Sequence, residues 1–173
     1  MKRSAIVTMP EYFDRYIMQV DDLALLDALA LTGPKMLQAE MDKLVALGDM
    51  VYAPGKWTVK DTIQHLIDCE RVFAYRALRI ARTDKTPLPG FDENLYAETA
   101  AANNRSLDDV VAEFVSVRES NILLFKSFTN AALQHEGITN GKPVSVLAIG
   151  FIICGHTQHH LTILKERYYP LLG

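Results

Sequence analysis

The chain has 173 residues, enough for one domain with a substantial core and short for two. Hydrophobic residues make up 49%, charged residues 23%, and the formal net charge is −3. This ordinary globular balance argues against a nucleic-acid partner and against steering of a cationic one. The two cysteines are too few for a disulfide framework, which favours a reducing, cytoplasmic setting. Glu11, Asp14 and Arg15 follow the basic start directly, so no signal-peptide core is expected. The longest apolar run, residues 144–155, falls well short of the roughly 20 residues that span a bilayer, so no membrane partner is expected either.

The periodicity is helical almost throughout, with no alternation of period two beyond a few residues. Pro10 suits the first turn of a short helix carrying Tyr12, Phe13, Tyr16 and Ile17. Asp21 and Asp22 can cap a second helix with Leu23, Leu25, Leu26 and Leu29, after which Gly33-Pro34 bends or interrupts the chain. A stripe of Met36, Leu37, Met41, Leu44, Val45 and Leu47 resumes and ends at Gly48. Beyond the turn at residues 53–56, Thr58-Val59-Lys60-Asp61 matches a capping box and opens a long helix that ends near Arg82. Its apolar stripe is Ile63, Leu66, Ile67, Phe73, Ala77 and Ile80, with His65 in the first two turns.

Residues 83–93 form a polar, proline-bearing loop anchored by Leu88 and Phe91, which reads equally as a lid or pocket wall and as a surface crossover. A short helix is expected over 94–102. Ser106 then caps a helix with Val110, Val111, Phe114, Val117, Ile122, Leu123 and Phe125, ending near Asn130. His135 reads as a solvated loop residue, and Asn140-Gly141-Lys142-Pro143 as a turn. Ser145 caps a final helix from Val146 to near Tyr168, stopped by Pro170. The expectation is one all-α domain over residues 1–173. Its form is a four-helix bundle with additional short helices and one long crossover connection, an architecture that holds metal sites between facing helices.

Three of the five histidines fall at His156, His159 and His160. Positions i and i+4 share a helix face, so His156 and His160 can address one ion, while His159 is turned away from His156 by about 60° and from His160 by about 100°. His65, from a neighbouring helix, would complete a three-imidazole site suited to a divalent transition metal. Asp61 and Asp68 flank His65 at i−4 and i+3. Asp61 is taken up by the cap, whereas Asp68 stays open as a partner for an imidazole N–H. Cys69, at i+4 from His65, and Cys154, two residues before His156, read first as small buried hydrophobes, with Cys69 within reach of the pocket.

Several motifs together carry a resemblance. These are Trp57-Thr58-Val59-Lys60-Asp61, His65-Leu66-Ile67-Asp68-Cys69-Glu70, and Gly155-His156 followed by His159-His160. Their order resembles the DinB-like (YfiT-like) superfamily over residues 12–172, with 52–57, 88–92 and 166–168 similar to one branch of it. The resemblance implies a four-helix bundle with a divalent metal, zinc or nickel foremost, held by His65, His156 and His160; by their chemistry alone three imidazoles suit iron and copper as well. It implies that His159 is not a ligand and assigns Cys69 no role. It also implies a homodimer, and activation of a low-molecular-weight thiol such as bacillithiol or mycothiol.

Three functions remain open on these grounds. The first is a metal-dependent transferase joining a thiol to a small electrophile, or a hydrolase using the same site. The second is a non-catalytic, metal-binding stress-response bundle, for which a fourth protein ligand such as Asp68 or Cys69 would speak. The third, ranked last, is a helical interaction protein whose histidines bind nothing. No residue stands out as a general base, so the catalytic residues are unassigned.

Overall fold

The computed structural model describes residues 1–173. Its helices are α1 (Asp14–Ile17), α2 (Leu25–Leu31), α3 (Pro34–Gln38), α4 (Met41–Leu47), α5 (Val59–Ala81), α6 (Glu93–Ala100), α7 (Leu107–Lys126), α8 (Asn130–Leu133) and α9 (Val146–Ile163). Strands β1 (Glu136–Thr139) and β2 (Lys142–Ser145) precede α9. The architecture is a four-helix bundle. Helices α5, α7 and α9 supply three long members, and the segment from α2 through α4 supplies the broken fourth.

The helix starts follow local chemistry. Thr58 Oγ1 accepts from the Asp61 amide at 3.1 Å, and Asp61 Oδ2 accepts from the Thr58 amide at 3.0 Å, a reciprocal capping box. Ser106 and Ser145 accept from the amides of Asp109 and Ala148, capping α7 and α9 as their spacing predicts. Asp22 does not cap α2. The helix begins at Leu25, after an uncapped Ala24, and Asp22 instead accepts the Ser4 amide at 2.8 Å. Helix α1 starts only at Asp14, because Tyr12 sits at a φ of 73° that no helix accommodates.

Two further expectations need correction. The stripe from Met36 to Leu47 is two helices, since the chain turns at Ala39-Glu40 before α4. Residues 136–145 are a β-hairpin joined by Asn140 and Gly141, whose φ values of 49° and 75° are those of a type I′ turn. The loop over 83–92 is pinned to this hairpin. The Leu88 amide donates to the Ile138 carbonyl, and the Leu88 carbonyl accepts from the Asn140 amide, both at 2.9 Å. Its next residues, Gly90 and Phe91, wall the cavity described below.

Helix α9 is the central element. From Val146 to Thr157 every residue is buried. The segment Val146–Leu172 has the length and composition of a membrane-crossing helix, yet 72% of its most apolar window is buried inside the bundle. That marks it as a core helix packed on α1, α2 and α5. One large cluster, including Leu25, Leu29, Phe73, Phe125, Phe151 and Ile152, fills one side of α9. A second, around Leu44, Ile63, Leu66, Phe114 and Leu161, fills the other end.

A buried polar network ties the four members together. Arg118 on α7, fully buried, donates through Nε to both oxygens of Glu70 on α5, at 2.9 and 3.0 Å. Its Nη1 reaches the Leu29 carbonyl at 2.9 Å, and its Nη2 reaches Thr157 Oγ1 at 2.9 Å. Asn121 Nδ2 completes the carboxylate at 2.9 Å. Every donor of this arginine thus has a partner, and the partners come from α2, α5 and α9.

Candidate metal centre

Helices α5 and α9 face each other where His65 and the pair His156 and His160 project between them. Nε2 of His156 lies 3.2 Å from Nε2 of His65 and 3.1 Å from Nε2 of His160. A single ring nitrogen carries one proton or one lone pair, so Nε2 of His156 cannot bond well to both neighbours at once. A shared cation satisfies all three lone pairs. Two nitrogens 2.0–2.1 Å from one tetrahedral ion stand about 3.3–3.4 Å apart, close to the observed edges. The three rings therefore fit a divalent metal. They are the only nitrogen donors that converge there.

Burial sets their protonation. Desolvation draws His65 down to about 4 and His160 to about 3, the latter helped by its neighbours His65 and His159. His156 is driven well below its ordinary value, first by desolvation and then by the adjacent imidazoles. All three are neutral donors at physiological pH, as a metal requires. In the metal-free protein the unfolded chain takes up these protons from about pH 6.5 downward, before the folded chain does. Stability should therefore be complete above about pH 6.5 and fall as the pH descends toward the folded values near 4 and 3. Urea midpoints measured across that window check it, and His65→Gln should flatten the slope.

Cys69, one turn along α5, adds a sulfur. Its Sγ lies 3.6 Å from Nε2 and 3.7 Å from Nδ1 of His65. The donor atoms of His65, Cys69 and His156 all fall within 4.8 Å of one another. Two sets of three donors thus share the His65–His156 edge: His160 joins it through His156, and Cys69 lies within reach of both rings. The imidazoles are neutral donors that lose no proton on binding, whereas the Cys69 thiol, raised far above its usual range by burial, must give one up to coordinate. Cys154 is buried away from the cavity, among the residues of the larger core cluster.

Asp68 is not part of this centre. It accepts from Gln64 Nε2 at 3.0 Å and lines a separate surface groove with Arg71, Tyr96 and Arg105. At i+3 it is rotated by about 60° from His65 in one direction and Cys69 at i+4 by about 40° in the other, so the two flank the ligand on opposite sides. His159 lines the cavity beside the centre, with its ring against Tyr16 at 5.2 Å and His160 at 5.3 Å, and makes no nitrogen contact with the other imidazoles. His135 is remote, its Nδ1 3.3 Å from the Ala81 carbonyl.

The histidines form the floor of a cavity of about 470 Å³. Its walls are largely aromatic: Phe13, Tyr16, Trp57, Phe73 and Phe91. Trp57 packs on His65 with ring centroids 4.7 Å apart and lies stacked over His160 at 6.4 Å. Tyr16 stands edge-on to His156 at 5.2 Å. Sequence reasoning placed Tyr16 and Phe73 on helix stripes without assigning them to a site, because nothing local says which stripe residues border a cavity. Gly155, just before His156, is the contact point between α9 and α1. A Cβ there would lie 1.9 Å from the Tyr16 carbonyl oxygen, so only glycine lets α1 bring Tyr16 against the histidines.

Known proteins agree with this architecture. YfiT from Bacillus subtilis, described as a probable metal-dependent hydrolase with an unusual four-helix bundle topology, superposes with a TM-score of 0.70. That match covers 93% of this chain and 88% of YfiT at 19% sequence identity, and it speaks for the fold. A Geobacillus thermodenitrificans protein provisionally named a metal-dependent hydrolase is 29% identical over 115 residues. That alignment spans 63% of this chain and 62% of the relative's length. The profile of the DinB superfamily matches residues 14–164, a span that runs from the start of α1 past the last of the three histidines. With most of its length under that profile, the chain belongs to the DinB superfamily.

Proposed function

We propose that this protein is a metal-dependent enzyme in which His65, His156 and His160 hold a divalent ion and a small thiol attacks an electrophile in the cavity above them. The observation that carries this reading is the convergence of three neutral imidazole nitrogens on the floor of a solvent-reaching, aromatic-walled cavity. A divalent ion held by three uncharged ligands retains its full charge and lowers the pKa of a thiol or water at an open position.

The surrounding residues favour the thiol. No carboxylate hydrogen-bonds to any of the three rings, and Asp68 faces elsewhere. Glu93, the cavity's own carboxylate, is exposed at its edge. A free thiol near pKa 8.5 needs little help to ionise, whereas hydrolysis of an ester or amide also needs a positioned acid for the leaving group. Trp57, Tyr16 and Phe73 pack against the histidine rings and offer flat apolar faces to an electrophile. The names of the two relatives favour hydrolysis at the same centre as the second activity to assay.

The contact between Cys69 and His65 supports a competing reading, in which the sulfur is a fourth ligand and the centre is structural. The decisive assay is a panel of low-molecular-weight bacterial thiols with a generic electrophile, run on zinc-, nickel- and iron-loaded protein. Metal-dependent thiol consumption is expected with at least one combination. Turnover of ester substrates without thiol consumption would move the assignment to hydrolysis, and neither activity at any metal loading would reject catalysis.

A further inference from the structure

The chain buries two arginines in its interior, and they are treated very differently. Arg118 is saturated by Glu70 and its neighbours. Arg76 on α5 is only 4% exposed, yet it forms none of the chain's ion pairs. One hydrogen bond, from Nη2 to the Pro89 carbonyl at 2.7 Å, is the only one its guanidinium makes. Its other nitrogens are not sealed in the core, and the residue lines the histidine-floored cavity. A buried guanidinium without a carboxylate is costly to keep, so this cation has an unmet demand for an anion on the cavity side.

Its position gives that demand a direction. His65, Cys69, Phe73 and Arg76 follow one another at i, i+4, i+8 and i+11, within a single sector of α5. The helix rises about 16 Å over those eleven residues, and an arginine side chain leans back toward the N-terminal end. The Arg76 guanidinium carbon lies 5.9 Å from the Phe73 ring and 5.8 Å from the Phe91 ring, and Phe73 in turn lies 6.1 Å from His156. An apolar bridge therefore separates the cation from the histidines. Lys142, the cavity's other cation, is half-exposed and already paired with Glu11 at 2.9 Å.

We propose that Arg76 is the anion-recognition residue of this cavity, and that its small-molecule substrate carries a carboxylate at one end of an apolar body whose other end reaches the histidines. The proposal rests on the cavity being the substrate site of the proposed function, and its test does not depend on a bound metal. Trp57, the chain's single tryptophan, lies in the cavity wall and reports occupancy by its fluorescence. Phenylacetate and its neutral isostere phenylacetamide are titrated into metal-loaded and metal-free protein. Wild type should prefer the carboxylate by about tenfold or more in both forms. Arg76→Met should erase the preference, and Arg76→Lys, which keeps the charge and guards against a folding artefact, should keep part of it. Equal binding of the two probes, or no quenching by either, overturns the proposal. A preference that survives in R76M, that vanishes instead in K142M, or that exists only in metal-loaded protein also overturns it.

Discussion

Replacing His156 with alanine should reduce bound divalent metal from stoichiometric to background, the largest functional effect expected of any single substitution here. His156 provides both short nitrogen edges of the triad, 3.2 Å to His65 and 3.1 Å to His160, so its removal leaves two donors with no common neighbour. Loss of a partner that merely orients a ligand already costs about 10–100-fold in metal affinity, and loss of a ligand should cost at least the upper figure. Elemental analysis of untagged protein after dialysis measures it. His159→Ala is the control. That ring touches Tyr16 and His160 and makes no nitrogen contact within the triad, so metal content should stay unchanged. Full metal content in H156A would remove the centre from these residues.

Glu70→Gln should produce the largest loss of stability. The substitution keeps the shape and removes the charge that compensates Arg118, which has no access to water. Breaking a buried pair from one side costs about 3–5 kcal/mol, which for a chain of this length lowers Tm by roughly 6–20 °C. The double replacement Glu70→Leu with Arg118→Met should recover much of that, since neither charge is then stranded. Thermal unfolding of Glu70→Leu, Arg118→Met and the double variant forms the cycle, with Glu70→Gln measured beside it. A single variant within about 1 kcal/mol of wild type would mean that water or another group takes over from Glu70. Thr157, which accepts from Arg118, is the residue after His156, so the same variants should also loosen the register of α9 at the metal centre.

These two effects differ in how far the sequence discloses them. The histidine pair is legible because i and i+4 share a helix face whatever the tertiary structure does. The capping boxes and caps at Thr58, Ser106 and Ser145 are legible for the same local reason. Pairing His65 with the C-terminal histidines took the family resemblance, because 91 residues separate it from His156 and no periodicity spans them. The Glu70–Arg118 pair had no such help. Each residue alone looks like a surface charge on an amphipathic helix, and only the packing of α5 on α7 makes them a buried unit. Arg76 was hidden in the same way, among the charges of a long helix. The Asn140-Gly141 pair did carry a hairpin signal. The flanking strands are only four residues each, too short for alternation to outweigh the surrounding helical pattern.

Cys69 is the residue on which the chemistry turns, because the same sulfur that borders an open centre would close it by coordinating. The cobalt(II)-loaded protein distinguishes the two through its absorption spectrum, recorded before and after addition of a small thiol. Three imidazoles with an open position predict no sulfur-to-cobalt charge-transfer band in the protein alone and the appearance of one when the thiol is added. A band already present without thiol, lost in Cys69→Ser and unaltered by added thiol, would contradict an open, thiol-activating centre.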